Sequence, residues 1–472
     1  MNKVDKFPKD FLFGASISAY QAEGGVQDGG KLLSVADLST IKPGYADNSI
    51  SSDFYHHYKT DIRLLGEMGA KTFRFSLAWP RIIPDGDGEI NQEGINFYNS
   101  VLDELEKYDI TPMATLFHYD LPLSLQLKYG GWKNRKTVDA FVRFCKVCFN
   151  SFGDRIKYYF TINEPDILFM YGGHGLDYTG KDDFVRDKLI INHHFAVAHA
   201  KVVNLCHQMV PNAKVGPVFG YVPVYPHSCN PEDTIAMMNI SDYQNSFFQE
   251  LFLNGRYMKN VLDYYCETSL PPIIEENDME LLCSAKSDII ALNYYKSDVA
   301  CQCCESESKR DMAGNIDGQK GTITYPKVPG KYQLCANDCL ERNDWDWEID
   351  PVGIRYMLRS VYYRYWLPIV ITENGLAAHE KCVDGTINDD YRIEYLSKHL
   401  EQCRKAIDDG VELIGYCCWS FIDLLSTGHG FEKRYGLVYI NRDNENIKDL
   451  KRIPKQSYYW YKKYIKENTS ED

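Results

Sequence analysis

The chain has 472 residues, of which 44% are hydrophobic and 25% charged, with a formal net charge of -14 and an isoelectric point near 5.4. This composition is typical of a globular protein with enough length for a large core, and it argues against a disordered chain. The acidic balance, without a long basic run, argues against nucleic acid and anionic membranes as partners.

The amino terminus and the cysteines predict the compartment. The stretch MNKVDKFPKDFLFG carries charges where a signal peptide has its apolar core, and no apolar run reaches about 18 residues. The fifteen cysteines are an odd number scattered along the chain, which fits free thiols better than a disulfide framework. We therefore expect a cytoplasmic protein.

Eight short apolar runs follow one another along the chain and predict strands, and longer amphipathic segments between them predict helices. The strand runs are 11–20, 71–79, 111–117, 157–162, 214–221, 288–295, 367–372 and 412–421. The helical segments are 52–69, 91–109, 137–154, 191–209, 350–366 and 389–410. Asn91 and Asp350 occupy N-cap positions, Pro351 is tolerated in a first turn, and Gly69 and Gly410 occupy C-cap positions.

This alternation predicts an α/β fold, a single (β/α)8 TIM barrel with long βα loops that forms one catalytic domain over residues 1–472. A doubly wound sheet is the alternative, but it requires a Gly-rich phosphate-binding turn after the first strand. The GGVQDGG stretch at residues 24–30 lacks that glycine spacing, so the barrel is favoured.

Polar and aromatic residues follow the predicted strands, at the end of the barrel where TIM-barrel enzymes build their active sites. Each short motif alone also fits an ordinary turn, but so many at one rim indicate a site. Glu164 and Glu373 would lie on opposite sides of the barrel, and cleavage of a glycosidic bond requires two facing carboxyl groups. The strand-end residues are Gln21, Glu23, Arg74, Ser76, His118, Asp120, Asn163, Glu164, Asn293, Tyr295, Glu373, Asn374 and Trp419.

The motifs resemble those of glycoside hydrolase family 1, the retaining β-glycosidases, over essentially the whole chain. The matching stretches are FGASISAYQAEGG, FRFSLAWPRIIP, HYDLP, YGGWKN, TINEP, LNYY, NDWDW, ITENG and GYCCWSFID, of which TINEP and ITENG together are the most specific. The resemblance implies that Glu164 is the acid/base and Glu373 the nucleophile, with Arg74 and Tyr295 orienting Glu373. The sugar-binding residues that it implies are Gln21, His118, Asn163, Asn293, Trp347 and Trp419.

These roles carry expectations about charge. A nearby guanidinium should hold the pKa of the nucleophile Glu373 down, whereas burial and the partner's charge should raise that of Glu164. Retention of configuration would require carboxyl groups about 5 to 5.5 Å apart. We expect neither a metal nor a cofactor.

The stretch STGHGFEKRYG, residues 426–436, resembles the 6-phospho-β-glycosidase branch of the family. Relatives that act on plain glucose are similar in having Phe-Glu-Trp where this chain has Leu425, Ser426 and Thr427. A glutamate there would repel a phosphate dianion, whereas a serine hydroxyl donates to it and a lysine attracts it. The resemblance therefore implies a phosphate site formed by Ser426, Lys433 and Tyr435.

The kind of sugar is less sharply defined. The galactosidases of this branch resemble one another in having Trp directly after the serine, and Thr427 in its place favours a gluco configuration. Dual gluco and galacto activity stays open, because one pocket wall discriminates by only about 1 to 3 kcal/mol.

Several alternatives remain at this point. Ser426 argues against a plain β-glucosidase, and the two intact glutamates argue against a non-catalytic phosphosugar-binding protein. The CQCC and CANDC motifs within residues 301–339 nearly have the spacing of a zinc site, but ordinary loop thiols are favoured. The expected partner is a small phosphorylated β-glycoside, and a homodimer is one option for the assembly.

Overall fold

A computed structural model describes residues 6–39, 44, 46–171, 184–267, 269–306, 315, 318–427 and 429–469. Eight parallel strands form a closed barrel in which each strand pairs with its neighbours in the chain and β1 pairs with β8. The strands are β1 (Leu12–Ser16), β2 (Thr72–Ser76), β3 (Thr111–Phe117), β4 (Tyr158–Asn163), β5 (Lys214–Gly220), β6 (Ile290–Tyr294), β7 (Ile369–Asn374) and β8 (Leu413–Trp419). Each predicted run overlaps one of them, although β4 and β7 extend past their runs of 157–162 and 367–372, to Asn163 and Asn374. The predicted TIM barrel is confirmed. The single domain over residues 1–472 stays a prediction, since parts of that range lie outside the described residues.

Helices surround the barrel. In the described part of the chain they are Ala19–Ala22, Val35–Ser39, Phe54–Met68, Trp79–Ile82, Gln92–Glu106, Leu123–Tyr129, Arg135–Phe152, Pro165–Tyr171, Phe184–Met209, Pro231–Ser241, Phe247–Asn254, Lys259–Cys266, Asp278–Ser284, Pro351–Tyr365, Asp390–Asp408 and Gln456–Thr469, with a 3-10 turn at Gly131–Lys133 and a π turn at Asp242–Ser246. The helix predicted at 191–209 begins earlier, at Phe184, because Leu189 continues its buried face.

The predicted caps have the expected geometry. The Oδ1 atom of Asn91 accepts the N–H of Glu93 at 3.2 Å, and that of Asp350 accepts the N–H of Gly353 at 2.9 Å. Gly69 follows its helix with φ of 87°, a left-handed conformation that glycine adopts without strain.

The interior of the barrel is closed by side chains. Apolar residues of six strands pack against one another there, which makes the barrel a core and not a channel. These residues are Met113, Phe160, Val218, Ala291, Val370 and Cys417. The active site therefore has to lie above this layer.

A second sheet, which the sequence did not predict, is formed by the loops after β5 and β6. Its four strands lie in the order Val224–Pro226, Asp298–Cys301, Tyr332–Cys335 and Lys327–Val328. Strands of two to four residues are too short to show an alternating pattern. The sheet contains part of the cysteine-rich segment 301–339, of which residues 307–314 and 316–317 lie outside the described residues. A smaller antiparallel pair joins Val438–Ile440 to Arg452–Pro454.

All fifteen cysteines are free thiols. Within the described ranges, His, Cys, Asp and Glu side chains form no group of three or more that could hold a metal ion. None of the helices in those ranges is long and apolar enough to cross a membrane.

Candidate active site

Glu373, near the end of β7, is buried and held at both oxygens. The Arg74 Nη1 atom donates to its Oε1 at 2.5 Å, and the Tyr295 hydroxyl donates to its Oε2 at 2.7 Å. Arg74 lies on β2, and its side chain is itself held in place. Its Nε donates a hydrogen bond to Thr115, and its Nη2 donates one to Asn163. These contacts orient the carboxyl group of Glu373 and give it charged and neutral hydrogen-bond donors.

The pKa of Glu373 differs from the sequence-based expectation. Burial raises it to about 7, and the opposing attraction of Arg74 is smaller than the cost of desolvation. The negative charge of Glu164 also contributes to this rise. Arg74 lowers this pKa, as predicted, but the net shift is upward. The expectation of a lowered pKa was therefore wrong, because it neglected how completely the carboxyl group is buried.

Glu164 directly follows β4 and faces the same region. Its Oε2 atom accepts a hydrogen bond from the Tyr119 hydroxyl at 2.6 Å, and its Oε1 accepts one from the Asn293 amide at 2.9 Å. The backbone of Glu164 has φ of 45° and that of Tyr119 has φ of 71°. Both lie in the left-handed region, where non-glycine residues are strained and where functional residues are often found.

Tyr119 is a site residue that the sequence reasoning missed. Besides its bond to Glu164, its hydroxyl accepts a hydrogen bond from the Asn163 Nδ2 at 3.2 Å. The residue is only 6% exposed. It lies inside the HYDLP motif, directly after His118, so its position beyond a strand end was the available signal.

The predicted sugar-binding residues fall into connected groups. The amide of Asn163 links Arg74 to Glu164, since it accepts from the former and donates to the latter. His118 and Trp419 stack with ring centroids 6.1 Å apart and an interplanar angle of 19°. The Gln21 Nε2 atom donates to the carbonyl of Leu425 at 2.8 Å, so it holds the backbone just before the predicted phosphate loop.

Other strand-end residues form hydrogen bonds that stabilise the fold around the site. Glu23 accepts hydrogen bonds from Arg81 at 3.0 Å and Tyr98 at 2.6 Å. The Ser76 hydroxyl accepts from the backbone of Ala19, and Asn374 donates to the carbonyl of Tyr294. Burial raises the pKa of Asp120 to about 7.

A cavity of about 350 Å³ opens beside Glu164. Tyr295, Trp347 and Lys433 line it, together with aromatic and apolar side chains from several loops. Its other lining residues are Ile167, Gly220, Tyr221, Val222, Asn293, Lys296, Asn315, Ile323, Trp345 and His429. One acid, Glu164, two lysines, Lys296 and Lys433, and aromatic surfaces therefore line a single cavity.

Lys433 is buried in this cavity wall, with 4% of its surface exposed. Its ammonium lies 3.8 Å from the ring centroid of Trp347 and 5.8 Å from that of Tyr435. Burial lowers its pKa to about 7. The neighbouring Arg434 points the other way and pairs with Asp423 at 2.8 Å, as the alternation of an extended segment predicts.

Tyr435 and Ser426 complete the predicted phosphate loop. Tyr435 is buried, and its ring meets that of Tyr295 edge-on with centroids 6.2 Å apart. Ser426 begins a turn in which its backbone exchanges two hydrogen bonds of 2.9 Å with Gly430. The loop thus places Lys433 and Tyr435 beside the residues around Glu373.

Two glutamates at the ends of β4 and β7 of a parallel eight-stranded barrel, each held by hydrogen-bond donors, form the arrangement of a barrel enzyme that cleaves glycosidic bonds. Comparison with known proteins agrees with this class. The family model of glycosyl hydrolase family 1 matches residues 3–470, and the chain belongs to this family.

Relatives of this chain cover almost its full length. It is 43% identical to the aryl-phospho-beta-D-glucosidase BglC of Bacillus subtilis (strain 168) and 38% identical to a 6-phospho-beta-glucosidase of Clostridium longisporum. Each alignment covers 98% of both chains. Among solved structures, a family 1 b-glucosidase from Thermotoga maritima is similar with a TM-score of 0.86 at 33% identity, covering 100% of both chains.

Proposed function

We propose that this protein hydrolyses 6-phospho-β-D-glucosides to glucose 6-phosphate and the aglycone. The observation that carries the proposal is the buried ammonium of Lys433 in the cavity that also contains Glu164. A buried cation is costly, and a phosphate dianion on the substrate would offset that cost. The names of the two relatives given above support the same substrate class.

The proposed reaction is a double displacement. Glu373, as carboxylate, attacks the anomeric carbon while Glu164 protonates the oxygen of the leaving group, which gives a covalent glycosyl-enzyme. Glu164 then removes a proton from a water molecule that attacks the same carbon and releases Glu373, with retention of configuration. Once Glu373 is esterified, its negative charge no longer lies beside Glu164.

We propose that Ser426, Lys433 and Tyr435 bind the phosphate, and the burial of all three residues in one loop supports this. Lys433 supplies a point charge, the Tyr435 hydroxyl a donor and Ser426 a second hydroxyl in the place of a glutamate. Thr427, where the galactosidases of this branch have tryptophan, favours a substrate of gluco configuration. Its hydroxyl shares a hydrogen bond of 2.8 Å with the hydroxyl of Tyr20. We propose glucosides as the main substrates, with galactosides as the competing class.

We propose that the apolar part of this cavity receives the leaving group and favours an aryl aglycone over a second sugar. Ile167, Val222 and Ile323 present apolar surface there, and Tyr221 and Trp347 present aromatic rings. A flat aromatic group can bury against such walls because it has no hydroxyl groups to pair. A sugar buried there would leave hydroxyl groups without hydrogen-bond partners.

The test compares four 4-nitrophenyl β-D-glycosides: the glucoside 6-phosphate, its galacto epimer and the two unphosphorylated forms. We expect kcat/KM to be highest for the glucoside 6-phosphate. The Glu373→Gln variant should lose turnover by about 10⁴-fold or more while still binding glucose 6-phosphate. Faster cleavage of the plain glucoside than of its phosphate would contradict the proposal and favour a plain β-glucosidase.

Location and assembly are part of the same proposal. Phosphorylated glycosides are intracellular metabolites, which fits a cytoplasmic enzyme with free thiols. A homodimer and the absence of a nucleic-acid or membrane partner stay predictions, and sedimentation of the purified protein would test the first.

A further inference from the structure

Trp345, which no sequence argument placed in the site, lies against the same ammonium as Trp347. The Lys433 Nζ atom is 4.8 Å from the ring centroid of Trp345 and 3.8 Å from that of Trp347. Both distances are within the range of cation–π attraction, for which tryptophan is the best side chain. We propose that Trp345 is a positioning residue that holds the Lys433 ammonium in place for the substrate phosphate, and that it thereby contributes to the preference for phosphorylated glycosides.

The ring of Trp345 is fixed on several sides. It is 2% exposed and stacks on His379, with centroids 4.7 Å apart and an interplanar angle of 29°. Its indole N–H donates to the His429 Nδ1 atom at 3.4 Å. A methyl group added at Gly318 would lie 3.2 Å from the ring, so the backbone approaches it closely. The ring therefore has little freedom to turn away from Lys433.

The turn that carries Trp345 is also rigid. The side chain of Asn343 accepts the backbone N–H groups of both Trp345 and Trp347, at 2.9 and 3.0 Å. Between them, the buried carboxylate of Asp346 accepts the N–H groups of Thr322 and Ile323 at 3.1 and 3.2 Å. The two indole rings are thus presented to the ammonium by one preorganised turn.

Aromatic faces attract a cation without neutralising it. A carboxylate in the place of Trp345 would form an ion pair with Lys433 and would compete with the phosphate. Among the described residues Lys433 takes part in no ion pair, whereas the adjacent Arg434 pairs with Asp423. The rings therefore hold the charge and leave it available to a dianion, which is why the inference rests on the proposed phosphate site.

The test is the Trp345→Leu variant, assayed on 4-nitrophenyl β-D-glucoside 6-phosphate and on the plain glucoside. We expect roughly a 5- to 30-fold loss of kcat/KM on the phosphorylated substrate, mostly through KM, and a several-fold smaller loss on the plain one. Trp345→Phe keeps an aromatic face and should restore most of the loss. Trp366→Leu, at an exposed tryptophan outside the cavity, is the matched control.

A double-mutant cycle separates this inference from the phosphate site itself. If Trp345 acts through Lys433, then Trp345→Leu should add little to the loss caused by Lys433→Ala. Equal losses on both substrates, or full additivity of the two changes, would overturn the positioning role. If Lys433→Ala has no selective effect, the proposed phosphate site fails instead. Should the leucine variant not fold, Trp345→Phe and Trp345→Tyr provide the same comparison, with a smaller selective loss expected.

Discussion

Lys433 and Arg434 are adjacent cations with opposite roles. Arg434 is buried and pairs with Asp423, so its charge is neutralised within the protein. Lys433 is equally buried but faces aromatic rings. The sequence predicted this division from the alternation of an extended segment, but it could not predict the rings, because Trp345 and Trp347 come from a turn about ninety positions earlier in the chain.

Lys433→Ala tests the proposed phosphate site directly. Removing the partner of a buried charge typically costs several kcal/mol, so we expect kcat/KM on the phosphorylated glucoside to fall about 100-fold or more. The plain glucoside should be affected far less. Lys448→Ala, at a nearby lysine that pairs with Asp443 on the surface, is the control. Equal losses on both substrates would refute a phosphate role for Lys433.

The pKa of Lys433 predicts how activity depends on pH. Because burial lowers this pKa to about 7, the ammonium loses its proton as pH rises through 7, and attraction for the phosphate weakens. We expect kcat/KM for the phosphorylated glucoside to fall more steeply above about pH 7 than that for the plain glucoside. Glu373 and Tyr435 face the same region, and their titration would alter the cleavage of both substrates alike. Parallel alkaline limbs for the two substrates would contradict this prediction.

On the acid side of the pH profile, we expect Glu373 to limit activity. Its pKa of about 7 means that it is increasingly protonated, and so unable to attack, as pH falls.

The sequence identified both carboxyl groups because TINEP and ITENG lie at strand ends. It misjudged the pKa because desolvation depends on the packing of the whole barrel, which no motif encodes.

The helices and strands were predicted where their signals are local. Apolar runs defined the barrel strands, and Asn91 and Asp350 marked helix starts by side-chain chemistry that operates within three residues. The second sheet was missed because its strands are short and are joined by contacts between distant loops. Elements defined by tertiary contacts alone leave little trace in a single sequence.

Asn91→Ala tests how much one cap contributes. Asn91 caps the helix Gln92–Glu106, and its Nδ2 atom also donates to the carbonyls of Gly29 at 2.6 Å and Arg81 at 2.9 Å. We expect the free energy of unfolding to fall by about 2 kcal/mol, measured by urea denaturation. Gln92→Ala, at the next and exposed position, is the control and should change it by less than about 0.5 kcal/mol.

A buried charge network joins the last third of the chain. Glu380 accepts hydrogen bonds from Arg392 and Lys455, and Lys455 also donates to Asp423 at 2.8 Å. Asp423 in turn holds Arg434, next to the predicted phosphate residue Lys433. The segments after β7 and β8 and the start of the last helix are therefore linked through charges removed from water.

Glu380 should make stability depend on pH. Burial alone would raise its pKa, but Arg392 and Lys455 hold it at about 2, below the ordinary value of 4.5. Its contribution is therefore complete above about pH 4.5 and is lost as pH falls toward 2. Glu380→Gln should cost about 3 to 5 kcal/mol near pH 7, with a smaller difference from the unmodified protein in acid. Glu394→Gln, in an exposed pair with Lys398, should have little effect at any pH.

The closure of the barrel has a consequence for synthesis. The last barrel strand in the chain, β8, closes the barrel by pairing with β1. The Ser16 hydroxyl on β1 donates a hydrogen bond to the carbonyl of Cys418, 402 residues later in the chain. At about 5 to 20 residues per second, a ribosome delivers β8 roughly 20 to 80 seconds after β1. Throughout that interval one edge of β1 has no neighbour, and a nascent chain released early would lack the wall that completes the catalytic end.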